Sequence, residues 1–450
     1  MPTYNKRVGF LISDQHLIAH GGIGQFAKSF VEMSGRLNWK TDIILDKAAT
    51  GDFSRHIKEI GANLISPKEP LRYNEHTATF MYNDSINFEK IVNFRKALVQ
   101  AFETNLYDMI VCNTQEAMSA AYALAVDKYI PVVFYTHSHT NVFKEKHHFS
   151  DVSLDNYHSF FNKHMEFANI TAGTQSPRNK ATLEAAGAVS CEVLPMPLSE
   201  RGLLEPNNCK NQNGVLFIGR WEDRKNPKAF LRVISETKLP ARVMTNSNGA
   251  KKFEKAFADA GITNYVIKAG IVGQEKVDFI KESKLFFMPS LGENYPFAFS
   301  ECVGHLPCVV LDKQNWSDNF DPKYYRKVNI EDASNTVKEL YDTGPVEGAL
   351  DYVKELDGQV SVIWSAFLNK FVGKKSTNNS ANINSFDTVK YRDYISSLNR
   401  TNIAREDFES VLTNKHKYRV IYTDEDTYLT KDPNWEPVEE ATGTDLFGNF

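Results

Sequence analysis

KLFFMPSLGENYPFAFSECVGHLPCVVLD, residues 284–312, holds two short apolar runs separated by a polar loop and a segment long enough for a turn or two of helix. KLFFMPS (284–290) is a short apolar run that reads as a strand. Asn294, Tyr295 and Pro296 supply turn chemistry, so a helix starts near Phe297, and Cys308 opens a second strand. Strand, loop, helix and strand in this order predict a parallel βαβ unit. In it Glu293 sits on the loop, Glu301 about one helical turn further on, and the free peptide N–H groups of the helix start lie between them.

The same alternation runs outward in both directions. Strands are expected at 7–13, 41–46, 62–66, 107–113, 130–138 and 168–175, with helices at 24–37, near 53–60, at 85–102 and near 114–126. CEVLPMPLSERGLLEPNNCKNQN (191–213) is rich in Pro and Asn and reads as a linker. The pattern then restarts, with strands at 214–220, 241–246, 264–270, 284–290 and 308–312, a helix at 274–283 and a helical segment over 332–372. The fold class is therefore α/β, two Rossmann-like domains facing an interdomain cleft. The expected division is 1–195, 196–372, and a polar loop with a C-terminal extension over 373–450. YRVIYTDEDTYL (418–429) reads as a surface hairpin.

The 450 residues are 42% apolar and 24% charged with a net charge of −4, which excludes a globally basic nucleic-acid binder; any such surface must be local. Five scattered cysteines form no CxxC pair, so neither a disulfide framework nor a zinc site is indicated, and a reducing cytoplasm is expected. No window is long enough to span a bilayer.

Three stretches carry candidate chemistry. HGGIGQF (20–26) places Gly21, Gly22 and Gly24 between the first strand and the first helix, where a phosphate or sugar could approach the backbone; a plain strand-to-helix turn accounts for it equally well. FIGRWEDRKNP (217–227) carries Arg220 and Lys225 after a strand end, a planar fork and a point charge suited to a diphosphate. On its own that stretch, with Glu222, Asp223 and Arg224, reads as solvated surface. The loop quoted first adds two carboxylates, each able to accept two hydrogen bonds from a vicinal diol. Strand, anion-binding helix start, two cations and two carboxylates together suit a nucleotide sugar.

SLGENYPFAFSECVGHLPCVV resembles the E-x7-E segment of the family 4 retaining glycosyltransferases, which have the GT-B fold, and FIGRWEDRKNPKAF is similar to their G-R-x4-K stretch. HGGIGQFAKSF resembles their N-terminal Gly-Gly turn, whereas MTNSNG (244–249) stands where the family has a glycine pair. The resemblance implies that Arg220 and Lys225 hold the donor diphosphate, Glu301 accepts the ribose hydroxyls and Glu293 the donor-sugar hydroxyls. It also implies that the backbone from Asn294 through Tyr295 and Pro296 to Phe297 touches phosphate or sugar, while Gly21, Gly22 and Gly24 admit the donor to the first domain. A UDP-sugar is the implied co-substrate, with no metal strictly required.

YTHSHTNVF (135–143) puts His137, Ser138 and His139 at the end of a predicted strand, with Lys144 and Lys146 following. The run is similar to that of the T-even phage DNA α-glucosyltransferases. This resemblance implies an acceptor of 5-hydroxymethylcytosine in phage DNA, glucose or arabinose as the sugar, and an infected host cell as the location. By the same resemblance His137, Ser138 and His139 meet the acceptor, and Lys144, Lys146, Lys374 and Lys375 meet phosphates. Catalytic roles are expected for Glu293, His137, Arg220 and Lys225. A transferase of cell-surface polysaccharide or lipid-linked glycan, and a non-catalytic nucleotide-sugar-binding protein, are the alternatives.

Overall fold

The computed structural model describes residues 4–13, 22–48, 52–70, 88–114, 116–118, 120–121, 130–137, 170–185, 190–293, 295–311 and 316–370, with strands at 401–402, 418–422 and 427–431. The chain divides into two compact units. One comprises Met1–Thr174, Asn179–Leu194 and Trp364–Phe450; the other comprises Gln175–Arg178 and Pro195–Ile363.

The first unit carries β1 (Lys6–Leu11), β2 (Trp39–Ile44), β3 (Asn63–Ile65), β4 (Met109–Cys112), β5 (Val132–Tyr135), β6 (Ile170–Thr174) and β7 (Cys191–Val193). They form one parallel sheet in the order β3-β2-β1-β4-β5-β6-β7. Helix α1 (Gly22–Arg36) follows β1, α2 (Asp52–Glu59) follows β2, α3 (Phe88–Thr104) precedes β4 and α4 (Pro177–Ala185) precedes β7. Phe10, Phe26 and Phe30 pack with Tyr135 and Trp364, the Phe26 and Tyr135 rings stacked with centroids 4.4 Å apart. Asp42, fully buried, is held by Arg7, Asn63 and Tyr107, each at 2.8 Å, so the charge at the end of this core is fully partnered.

The second unit carries β8 (Val215–Ile218), β9 (Ala241–Thr245), β10 (Tyr265–Ala269), β11 (Leu285–Met288), β12 (Cys308–Val310) and β13 (Arg326–Lys327), parallel in the order β10-β9-β8-β11-β12-β13. Counted from its own first strand this is 3-2-1-4-5-6, the doubly wound Rossmann order. The helices are α5 (Pro227–Thr237), α6 (Ser247–Asp259), α7 (Gly273–Lys281), α8 (Phe297–Cys302), α9 (Ala333–Leu340) and α10 (Ala349–Asn369), whose residues from Trp364 onward belong to the first unit. The period-2 rule explains why β11 is apolar throughout. Leu285 and Phe287 pack with Val215 and Phe217 on one face, whereas Phe286 and Met288 pack with Leu216 and Phe299 on the other.

Two segments differ from the sequence expectation. The stretch read as a linker begins as β7, paired with β6, and its Leu198 and Leu203 are buried in the second core. Its prolines forbid helix, but the apolar residues between them still bury. The helical segment over 332–372 is two helices rather than one, because Gly344 and Gly348 both take positive φ between them. Further on, β14 (Thr401–Asn402), β15 (Tyr418–Tyr422) and β16 (Thr427–Lys431) form a small sheet, and β15 and β16 are the arms of the expected hairpin. Its Asp424–Asp426 tip lies outside the described residues.

Candidate functional site

Since β8 and β11 are parallel neighbours, the loops after them leave the sheet at the same edge. After β8 the chain makes a short 3-10 turn, Asp223–Lys225, and Asn226 in the left-handed region (φ 51°) turns it into α5. The Lys225 stem lies across Gly219, where a Cβ would stand 3.2 Å from it and push it by a few tenths of an ångström. The Leu291 N–H donates to the Arg224 carbonyl at 2.8 Å, tying the two loops together.

At that junction Glu293, 6% exposed, receives two cations. Arg224 donates to Oε2 at 2.8 Å and Lys225 to Oε1 at 2.6 Å. Burial alone would raise the Glu293 carboxyl, but Arg224, Lys225 and the Ser290 hydroxyl outweigh it and hold the group at about 2. The same burial pulls the Lys225 ammonium below its ordinary value against the opposing pull of Glu293, while Glu293 pushes the Arg224 guanidinium up. Arg220 does not reach Glu293; it pairs with Glu222 at 3.2 Å, and Glu222 also pairs with Arg224 at 3.2 Å. Side-chain exposure falls from 62% at Arg220 through 27% at Arg224 to 15% at Lys225. Arg220 is thus the outermost cation of the three, and Arg224, which the sequence reads as surface, is part of the cluster.

Pro296 caps α8, which begins at Phe297. Tyr295 packs on Phe320 at 4.9 Å between ring centroids, and burial pushes its phenol up. Asn294 lies outside the described residues. Glu301 is 2% exposed and does not share the Arg224–Lys225 cluster. Its Oε1 accepts from Lys276 Nζ at 2.6 Å and from the Ser199 hydroxyl. Sequence reading passed over Lys276 and Ser199. The signal was present for Lys276: on α7 it lies on the buried face with Val277, Phe279 and Ile280.

In MTNSNG, the Asn246 side chain accepts from the Gly249 N–H at 2.7 Å and caps α6, so polar residues replace glycines for a local reason. In the first unit, Gly22 opens α1 and Gly24 is buried in it, while Gly21 lies outside the described residues. A Cβ on Gly22 would meet nothing within 4 Å, so the unit's own packing does not call for glycine there. His137, just past β5, bonds Asn113 Oδ1 through Nε2 at 2.8 Å and lies edge-on to Phe26. Asn113 in turn donates to the Leu11 carbonyl, so the ring is oriented through a side chain anchored to β1. Ser138, His139, Lys144 and Lys146 lie outside the described residues, as do Lys374 and Lys375.

The sheet orders and the two-unit division are those of the GT-B architecture: two Rossmann-like units with parallel sheets. No family model matches the chain, and no curated protein matches it. Solved structures do. Anabaena HepE, solved in complex with UDP and glucose, matches with a TM-score of 0.57 at 14% identity, over 82% of this chain and 99% of that one. TarM matches with a TM-score of 0.59 at 12% identity, over 83% and 100%. Sucrose-phosphate synthase from Thermosynechococcus elongatus matches with a TM-score of 0.55 at 14% identity, over 81% and 97%. At these identities the likeness is one of fold. Among the described residues no helix is long and apolar enough to cross a membrane, and no group of three His, Cys, Asp or Glu is placed to hold a metal.

Proposed function

We propose that this chain is a glycosyltransferase that moves a sugar from a UDP-sugar to a hydroxyl with retention of configuration. The observation that carries the reading is the convergence of Arg224, Lys225 and Glu293 at the carboxyl edge of β8 and β11, with Arg220 outermost. Such an edge is where doubly wound sheets bind ligands. That HepE, of like fold, was solved with UDP and glucose supports uridine diphosphate as the carrier.

In this reading Lys225 and Arg220 neutralise the diphosphate, and the start of α8 adds the oriented N–H groups of Phe297 and Ala298. The bond from anomeric carbon to diphosphate oxygen breaks as charge builds on that oxygen, and fixed cations lower the barrier most at that moment. The acceptor hydroxyl bonds the same face of the anomeric carbon, and its proton passes to the departing diphosphate. Glu293 takes no proton near neutrality, because its carboxyl is held at about 2. It keeps Lys225 and Arg224 in place and offers its remaining lone pairs to the sugar hydroxyls. Glu301 accepts the ribose hydroxyls. His137, held by Asn113, is the residue we assign to the acceptor hydroxyl.

The acceptor we assign is the hydroxymethyl group of 5-hydroxymethylcytosine in phage DNA, with glucose or arabinose as the sugar, on the likeness of YTHSHTNVF to the phage enzymes. The test is incubation with radiolabelled UDP-glucose and UDP-arabinose in the presence of hydroxymethylated or plain duplex DNA. Label confined to the hydroxymethylated duplex, with the anomeric configuration of the donor kept by NMR of the digested nucleoside, is the expected result. Label on a lipid-linked or polysaccharide acceptor instead reassigns the acceptor. Donor binding with neither transfer nor hydrolysis reduces the protein to a nucleotide-sugar binder.

A further inference from the structure

Glu301 is not free to use both oxygens. Lys276 Nζ donates to Oε1 at 2.6 Å and to Ser199 Oγ at 3.1 Å, and the Ser199 hydroxyl donates to the same Oε1. The three groups close a ring. A carboxylate oxygen has two lone pairs, and both of those on Oε1 are taken. Among the described residues no hydrogen bond reaches Oε2. The ring is dry, with the Lys276 side chain 7% and the Glu301 side chain 1% exposed.

Three separate segments build it: α7 supplies Lys276, α8 supplies Glu301 and the stretch before the Arg201–Leu204 turn supplies Ser199. The Gly273 N–H at the start of α7 donates to Glu200 Oε1 at 3.0 Å, which fixes that helix to the residue beside Ser199. A buried ion pair adds little net stability over an apolar replacement, so its value here lies in orientation. We propose that Lys276, with Ser199, is a positioning pair that leaves Oε2 of Glu301 as the single acceptor for the donor ribose. This rests on Glu301 as the ribose acceptor. Both ribose hydroxyls then converge on one oxygen, and a nucleotide lacking them loses that contact.

The experiment measures binding of UDP and of 2′,3′-dideoxy-UDP to the full chain, to Lys276→Met and to Ser199→Ala, with thermal melts to confirm folding. The unaltered protein is expected to prefer UDP by at least about tenfold, the worth of a hydrogen bond to a charged group. Lys276→Met is expected to bring that ratio within about threefold while leaving dideoxy-UDP affinity nearly unchanged, since only the hydroxyl contact is lost. Ser199→Ala is expected to lower the ratio by a smaller factor. An unchanged ratio in Lys276→Met, or equal weakening of both nucleotides, overturns the positioning role. If Lys276→Met does not fold, Ser199→Ala decides alone, and an unchanged ratio there overturns it. No preference for UDP in the unaltered protein defeats the ribose reading of Glu301 itself, and the positioning role with it.

Discussion

Glu293 and Glu301 lie eight residues apart, and both meet a lysine and a serine, yet the two environments are built differently. Glu293 stands on the loop with a cation on each oxygen, Arg224 on one and Lys225 on the other. Glu301 stands inside α8 with Lys276 and Ser199 crowded onto one oxygen and the other left over. The number of cations and how they divide between the two oxygens, more than the residue type, set what a carboxylate can do. Two cations on two oxygens make a clamp that stays charged to low pH. One cation on one oxygen makes a directed acceptor.

The sharpest break of this comparison is Lys225→Ala. Transfer is expected to fall by about 10²–10³-fold, the usual loss for one group on the developing charge. Arg224 still neutralises Glu293 in that variant, so the melting temperature should change little. A turnover that survives in single-turnover assays removes the diphosphate role from the clamp.

Acid stability comes next. The folded Glu293 carboxyl lies near 2 against an ordinary 4.5, so its contribution is complete above about pH 4.5 and lost as pH falls towards 2. The difference corresponds to about 3 kcal/mol. Glu293→Gln should flatten urea-melt stability between pH 4.5 and 2, and a slope unchanged from the unaltered protein denies the clamp.

Arg220 and Arg224 separate the static clamp from ligand capture. Arg224→Ala is expected to move the acid limb upward, at a stability loss of about 1–2 kcal/mol at neutral pH. Arg220→Ala should leave the acid limb in place and raise KM for the donor. Acid titration of both variants beside donor KM values reads this directly, and identical behaviour of the two would merge roles that the geometry keeps apart. The smallest effect is expected from Ser290→Ala, which removes the third donor to Glu293 for about 1 kcal/mol or less. A loss as large as that of Arg224→Ala would mean that the serine, not the cation, orients the carboxylate.

The fold was legible where local chemistry decides it. β11 could be read from four apolar residues between Lys284 and Pro289, because a central parallel strand is covered on both faces and has no polar side to disguise it. The start of α8 followed from Pro296, whose fixed φ and missing N–H suit a helix start. Cys191–Val193 was hidden among prolines, since a three-residue edge strand carries almost no period of its own. Legibility of the site was uneven for a related reason. Lys225 and Glu293 announced themselves through spacing relative to strand ends. Arg224 did not, because a cation between Asp223 and Lys225 looks the same whether it meets solvent or a carboxylate 69 residues ahead.

By itself the sequence determined two α/β series, their parallel sheets and the loops on which the cations and carboxylates are carried, because strand length, apolar period and turn residues act over a few positions. Tertiary structure alone decided which cation meets which carboxylate. The ends of β8 and β11 are neighbours in the sheet but far apart along the chain, and the rotamers that join Arg224 to Glu293 and Lys276 to Glu301 exist only once burial has removed water as the competing partner.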